Sequence, residues 1–292
     1  MQLRALQVET ADGRMLDVVD TGQIDNPAVV VHHGTPGARG LFRGWRDDAE
    51  RRGIRLIGYS RPGYGDSTRS QGRLVGEAAG DVAAIADHLK LAKLATWGYS
   101  GGGPHALSCA AQLPDLVVAA ATIASVAPYE AEGLDWLAGM GEGNVEEFDA
   151  ILAGEATTRA LHEAAVAAMP TTVDGLIEDM ATVLSPPDRA AIQDHLGQWM
   201  TALFADAFAH GADGWIDDDL AFVHPWGFDL SAIRVPLQLW QGQHDLMVPA
   251  THGRWLASQL PEAEWHYLPE SGHLTLLVDQ VPLLHQWLLE HF

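Results

Sequence analysis

The sequence predicts an α/β fold: a mainly parallel sheet flanked by helices, interrupted by an inserted helical cap. Three observations predict it. β-branched runs alternate with helical stretches at both ends of the chain, the pattern of parallel strands joined by crossovers. The middle third carries no strand pattern. Charge divides at the same borders: residues 129–229 hold 20 Asp and Glu against only Arg159 and Arg189, a net of −18, whereas the other 191 residues net −4.

The elements follow in order. Arg4 to Val8 and Met15 to Asp20 read as short strands joined through Asp12-Gly13, a hairpin pair. Pro27 to Gly34, Ile54 to Ser60, Leu94 to Ser100 and Val117 to Ala124 read as buried strands. Val235 to Gly242 and Ala263 to Leu268 complete the set. Between them, helices are expected over Leu41 to Arg52, Leu74 to Lys90, Pro104 to Leu113, Thr251 to Gln259 and Leu276 to Glu290. In the middle third, alanine-rich stretches such as Glu146 to Ala153, Thr158 to Ala168 and Asp188 to Ala209 read as short helices separated by Gly and Pro. The expected division is a core of residues 1–127 and 231–292 and an acidic helical cap of residues 128–230.

Composition excludes several classes of function. A chain of 292 residues buries a large core without staples, and the single cysteine, Cys109, leaves no disulfide scaffold and no Cys-based metal site. A net charge of −22 repels phosphate backbones and anionic lipid, so no nucleic-acid or membrane partner is expected. The start, MQLRALQVET, has no apolar leader, and the longest apolar run, Val117 to Ala127, is too short to cross a bilayer. The expectation is a soluble, cytoplasmic protein with a small-molecule substrate.

The sharpest motif is Gly98-Tyr99-Ser100-Gly101-Gly102, at the end of one expected strand and the start of a helix opened by Pro104. A tight strand-to-helix reversal lifts the serine hydroxyl above the sheet and tolerates only small residues two positions away on either side. A Gly-rich turn would share these glycines, but not the strand before them and the helix start after them. A serine hydroxyl needs a base and a carboxylate to orient that base. With this serine motif, the acid and then the histidine follow along the chain, each in a loop after a strand. Asp245, in Gln243-His244-Asp245, and His273, in Ser271-Gly272-His273, occupy such loops. Alone, each could be an ordinary loop residue; the order of all three makes the case. The amide of Gly101 and that of Thr35, in His32-His33-Gly34-Thr35-Pro36-Gly37, are the candidate oxyanion donors, since Pro36 has no N–H.

These pieces together resemble the α/β-hydrolase superfamily, in its capped branch of esterases, C–C hydrolases, dehalogenases and aminopeptidases. HHGTPG, SRPGYGDS, GYSGGG, QHDLMVP and SGH occur in the family's order between residues 32 and 273. The resemblance implies Ser100 as nucleophile, Asp245 as orienting acid, His273 as base, and Thr35 and Gly101 as oxyanion donors. Ser60 stands where many relatives have Asp, and Ser100 stands where dehalogenases and epoxide hydrolases use Asp. The second departure argues against both of those chemistries.

No His-Glu-x-x-His spacing occurs among the 14 histidines and no G-x-G-x-x-G follows a strand, so no metal and no cofactor are expected. Cys109 reads as a buried apolar side chain. Trp136, Trp199, Phe204, Phe208, Trp215, Phe222 and Trp226 read as cap core, with one or two lining an apolar pocket. The expected activity is hydrolysis of small, mainly apolar carboxylic esters through an acyl-enzyme. The alternatives are an aminopeptidase or amidase resembling the proline iminopeptidases, whose cap acids (here Glu142, Glu146 and Glu147) bind a free amine, or a C–C bond hydrolase. A non-catalytic receptor on the same fold fits poorly with an intact Ser, Asp and His. The cap's acids are expected to form a solvated surface.

Overall fold

The computed structural model describes residues 3–193 and 195–292. Met1 and Gln2, in the stretch read as lacking a leader, and Asp194, in the stretch predicted helical from Asp188 to Ala209, lie outside them. One eight-stranded sheet runs in the order β1-β2-β4-β3-β5-β6-β7-β8. Its strands are β1 (Arg4–Glu9), β2 (Met15–Asp20), β3 (Ala28–His32), β4 (Arg55–Tyr59), β5 (Leu94–Tyr99), β6 (Val117–Ile123), β7 (Leu237–Gly242) and β8 (Glu264–Leu268). β1 and β2 form an antiparallel hairpin, and β2 meets β4 antiparallel; all other pairs are parallel. β3, β4 and β5 are buried along their whole length, because helices cover both faces.

Helices α1 (Arg43–Arg52), α2 (Ala78–Leu89) and α3 (Gly103–Gln112) follow β3, β4 and β5. Between β6 and β7 lie, among the described residues, the helices α4 (Glu142–Leu152), α5 (Glu155–Ala168), α6 (Val173–Asp179), α7 (Pro186–Ala191), α8 (His195–Ala207) and α9 (Asp213–Val223). The chain closes with α10 (Ala250–Gln259), α11 (Leu274–Asp279) and α12 (Val281–Leu289). Val82, Ile85, Leu107 and Leu256 from α2, α3 and α10 pack on one sheet face with Val30 and Ile57. Trp45, Leu276, Leu284 and Leu288 from α1, α11 and α12 pack on the other with Val29, Val31 and Trp97. Among the described residues no helix is long and apolar enough to cross a membrane.

Four expectations need correction. The predicted helix from Leu276 to Glu290 is two helices, broken where Pro282 enters the first turn of α12 and removes an N–H. The stretch Asp188 to Ala209 is likewise two helices, α7 and α8. Two further helices, α6 and α9, were not expected: α6 is only seven residues long, and α9 carries Asp217, Asp218 and Asp219 in a row. Lastly, the solvated acidic surface holds for Glu142 and Glu146, which are exposed, but not for Asp188, Asp217, Asp218 and Asp219, which are buried. Each buried carboxylate has found donors: Arg69 for Asp217, Arg61 and Arg73 for Asp218, His162 for Asp219, and backbone amides for Asp188.

Candidate active site

The parallel strands deliver their carboxyl ends to one rim of the sheet, where open α/β sheets bind ligands. Ser100 follows β5 directly, in a 3₁₀ turn (Ser100–Gly102) that runs into α3. Its φ is +54°, a left-handed conformation costly for any residue with a side chain. The two flanking glycines make it possible. A Cβ on Gly98 would collide with the Gly102 carbonyl, and one on Gly102 with the His32 carbonyl. The spacing read in the sequence is thus a steric requirement: of the reversal itself at Gly98, and of its approach to the end of β3 at Gly102.

Asp245 and His273 come from the loops after β7 and β8, and the fold brings them together. His273 Nδ1 donates to Asp245 Oδ2 at 2.7 Å, leaving Nε2 as the free nitrogen. Asp245 is itself held still: its Oδ1 accepts from the amides of Met247 (2.9 Å) and Val248 (2.8 Å), and Gln241 Nε2 donates to Oδ2 at 3.2 Å. Both side chains are buried. Burial alone disfavours the imidazolium, but the charge and hydrogen bond of Asp245, with the charge of Asp188, outweigh it, so the His273 pKa is raised above its ordinary value.

Thr35 and Gly101 lie side by side: a Cβ on Gly101 would collide with the Thr35 side chain. Gly101 opens a helical turn, where an amide has no partner within the helix. The loop carrying Thr35 is held from behind by Arg61, of the SRPGYGDS motif. Arg61 Nη1 donates to the His33 carbonyl, and Nη2 to the Gly34 carbonyl (2.9 Å) and Thr35 Oγ1 (3.0 Å). Arg61 is paired in turn with Asp218 of α9, which also accepts from Thr35 Oγ1 (2.7 Å), Tyr64 Oη (3.0 Å) and Arg73. Sequence reasoning quoted Arg61 within a motif but gave it no role, and it missed Asp218.

Ser100, Gly101, Thr35 and His273 line one cavity of about 260 Å³. Its walls are mostly apolar, with Trp199, Phe204, Trp215 and Phe222 supplied by α8 and α9. Of the other aromatics expected in this segment, Trp136 and Trp226 are core and Phe208 packs beside Trp215. Glu147 and Asp219 also border the cavity. His162 Nε2 lies 2.6 Å from Asp219 Oδ2 and stacks on Trp215, whose indole N–H donates to Glu147 at 2.8 Å. Ligand atoms of Glu147, His162 and Asp219 all lie within 4.8 Å of one another, a convergence no spacing in the sequence announces. Burial pushes both carboxyl pKa values well up, helped by the charge of Asp219 at Glu147 and by that of Asp218 at Asp219. Cys109 is buried, as expected, within 3.7 Å of His32 Nε2.

The chain is 30% identical over 280 residues to the dihydrolipoyllysine-residue acetyltransferase component of the acetoin cleaving system of Pseudomonas putida, which covers 92% of this chain and 65% of that protein. It is 30% identical over 122 residues to the bifunctional esterase/perhydrolase of Acinetobacter calcoaceticus, which covers 41% of this chain and 44% of that one. In both cases the chain spans under two thirds of the curated relative's own length. Among solved structures, an alpha/beta hydrolase fold protein from Nakamurella multipartita is 26% identical, with a TM-score of 0.66 and 99% of both chains covered. The alpha/beta hydrolase fold family matches residues 27–280, from β3 through the helical insertion to α11. This chain belongs to that family.

Proposed function

We propose that this chain is a serine hydrolase that cleaves small, mainly apolar carboxylic esters through an acyl-enzyme. The observation that carries the reading is the meeting, in one small apolar cavity, of a serine at positive φ with a histidine bonded to a buried carboxylate. Ser100 Oγ attacks the ester carbonyl while its proton passes to His273 Nε2. The amides of Gly101 and Thr35 hold the oxyanion. The C–O bond then breaks, and His273 returns the proton to the departing alcohol. Water attacks the acyl-serine by the same route, and the acid leaves. Similarity to a protein named as an esterase supports this chemistry.

The acid limb of kcat/KM reports the free enzyme's base, which must be neutral to accept a proton. Because the His273 pKa is raised, activity should rise with pH through a midpoint above the ordinary histidine value of about 6.5. A rate profile flat across that range rules out His273 as the base.

A second reading has its own support. Glu147 and Asp219 border the same cavity, so an ammonium group on a substrate would meet a pair of carboxyl groups there. This is the aminopeptidase alternative, resting on Glu147 rather than on the exposed Glu142 and Glu146. A panel of p-nitrophenyl esters of graded acyl length, aminoacyl and prolyl anilides, and a 1,3-diketone separates the readings. Rapid turnover of short neutral esters with silent anilides is expected. Fast anilide turnover, with KM raised by Glu147→Gln for ammonium-bearing substrates only, would replace the ester reading with the second; cleavage of the diketone alone would point to C–C bonds.

A further inference from the structure

The segment that presents His273 lacks a local cap. His273 itself stands at the start of α11, and no side chain of the loop before it caps the helix there. A helix start leaves its first amides without partners, and a nearby Ser, Thr, Asp or Asn normally supplies the acceptor. Here the acceptor comes from the helical insertion. Asp188, in α7, takes the His273 amide on Oδ2 at 2.9 Å and the Leu274 and Thr275 amides on Oδ1 at 2.6 and 3.1 Å. Ser185 Oγ donates a fourth hydrogen bond to Oδ2 at 2.7 Å. Asp188 is 0% exposed, and no guanidinium or ammonium pairs with it among the described residues. The loop is shaped around it: a Cβ on Gly272 would overlap the Asp188 carboxylate.

We propose that Asp188 is a positioning residue for His273, so that the imidazole stands correctly only while the helical insertion is seated on the sheet. The inference rests on the reading of His273 as the base. One carboxylate fixes the backbone of the base and its two following residues. The segment donating it also walls the substrate cavity, since α8, the next helix along the chain, carries Trp199, Met200, Leu203 and Phe204 into that wall. A substrate that displaces the insertion therefore also displaces the base, and a well-fitting one leaves it in place. The negative charge of Asp188 further favours the imidazolium that forms as Ser100 attacks.

Asp188→Asn keeps the volume but loses the charge and turns one acceptor into a donor facing other donors. Expected is a fall in kcat of about 100-fold, as for a catalytic group displaced by about an ångström, with KM for a short p-nitrophenyl ester little changed. The His273 imidazole, followed by NMR in the free enzyme, should titrate at lower pH, and its low-field Nδ1–H resonance to Asp245 should weaken. That titration needs no turnover, so it stands apart from the role of His273, which His273→Ala tests by activity. Gly272→Ala displaces the same carboxylate without altering its charge; should Asp188→Asn fail to fold, the same loss of kcat and of the Nδ1–H signal is expected from it. An unchanged imidazole titration and unchanged kcat in a folded variant, whatever its melting temperature, would overturn the proposal.

Discussion

Ser100→Ala is expected to abolish turnover, by on the order of a million-fold in kcat, while the protein stays folded. The substitution removes one hydroxyl from a cavity wall and keeps the Cβ already tolerated at φ +54°, so neither packing nor backbone strain changes. Loss of the nucleophile costs far more than loss of the orienting acid, because the oxyanion donors and the binding cavity then act on water alone. A fluorophosphonate should add one equivalent to the wild type at Ser100, read by mass spectrometry of the digested protein, and none to the variant. Labelling at another residue, or ester turnover by the variant near the wild-type rate, would remove Ser100 from the mechanism. Equal melting temperatures for the two proteins serve as the control for folding.

Asp218→Ala should give the largest loss of stability. Asp218 is 0% exposed and answers two guanidinium groups, Arg61 and Arg73, together with the hydroxyls of Tyr64 and Thr35. Removing one partner of a buried ion pair leaves the other charge uncompensated, at a cost of about 3–5 kcal/mol. Urea unfolding of the variant should show it, and a loss under about 1 kcal/mol would mean that water reaches the guanidiniums. Activity should fall as well, because Arg61 would no longer be anchored where it holds the Gly34 carbonyl and Thr35. The pH dependence has a definite sign. Burial pushes the Asp218 pKa up, but Arg61 and Arg73 outweigh it and hold the pKa well below its ordinary value. Its contribution is therefore whole above the unfolded value of about 3.9 and is lost as pH falls toward the folded one. The variant should show a shallower loss of stability in acid over that interval.

All eight strands were legible in the sequence, as was the meeting of Asp245 with His273 at the cavity that Ser100 lines. β3, β4 and β6 are short runs rich in aliphatic residues, and a run buried on both faces has little alternative use. The helices were less legible where their stability is not local. α9 carries four aspartates, and these are met by the arginines of the SRPGYGDS motif and of Ser67 to Arg73 together with Arg159 and His162 of α5. In the long predicted helix at the C-terminus, the apolar period continues across Pro282 and hides the break.

The sequence by itself determined much of the strand-to-helix reversal at Ser100, because the collision that requires Gly98 arises within five residues of chain, whereas the one that requires Gly102 comes from the His32 carbonyl at the end of β3. It determined the order of serine, acid and histidine for the same reason: each sits in a short loop whose position follows from its own strand. Only the tertiary structure decided which of the insertion's acids are solvated and which work. Asp188, Asp218 and Asp219 look like Glu142 and Glu146 in sequence, since a carboxylate's cost of burial depends on donors that lie far away along the chain. Asp218 meets Arg61 across 157 positions and Asp188 meets the His273 amide across 85. Those pairings exist only once the insertion has folded back over the carboxyl edge of the sheet, where burial selects the acids that find partners and leaves the rest in water.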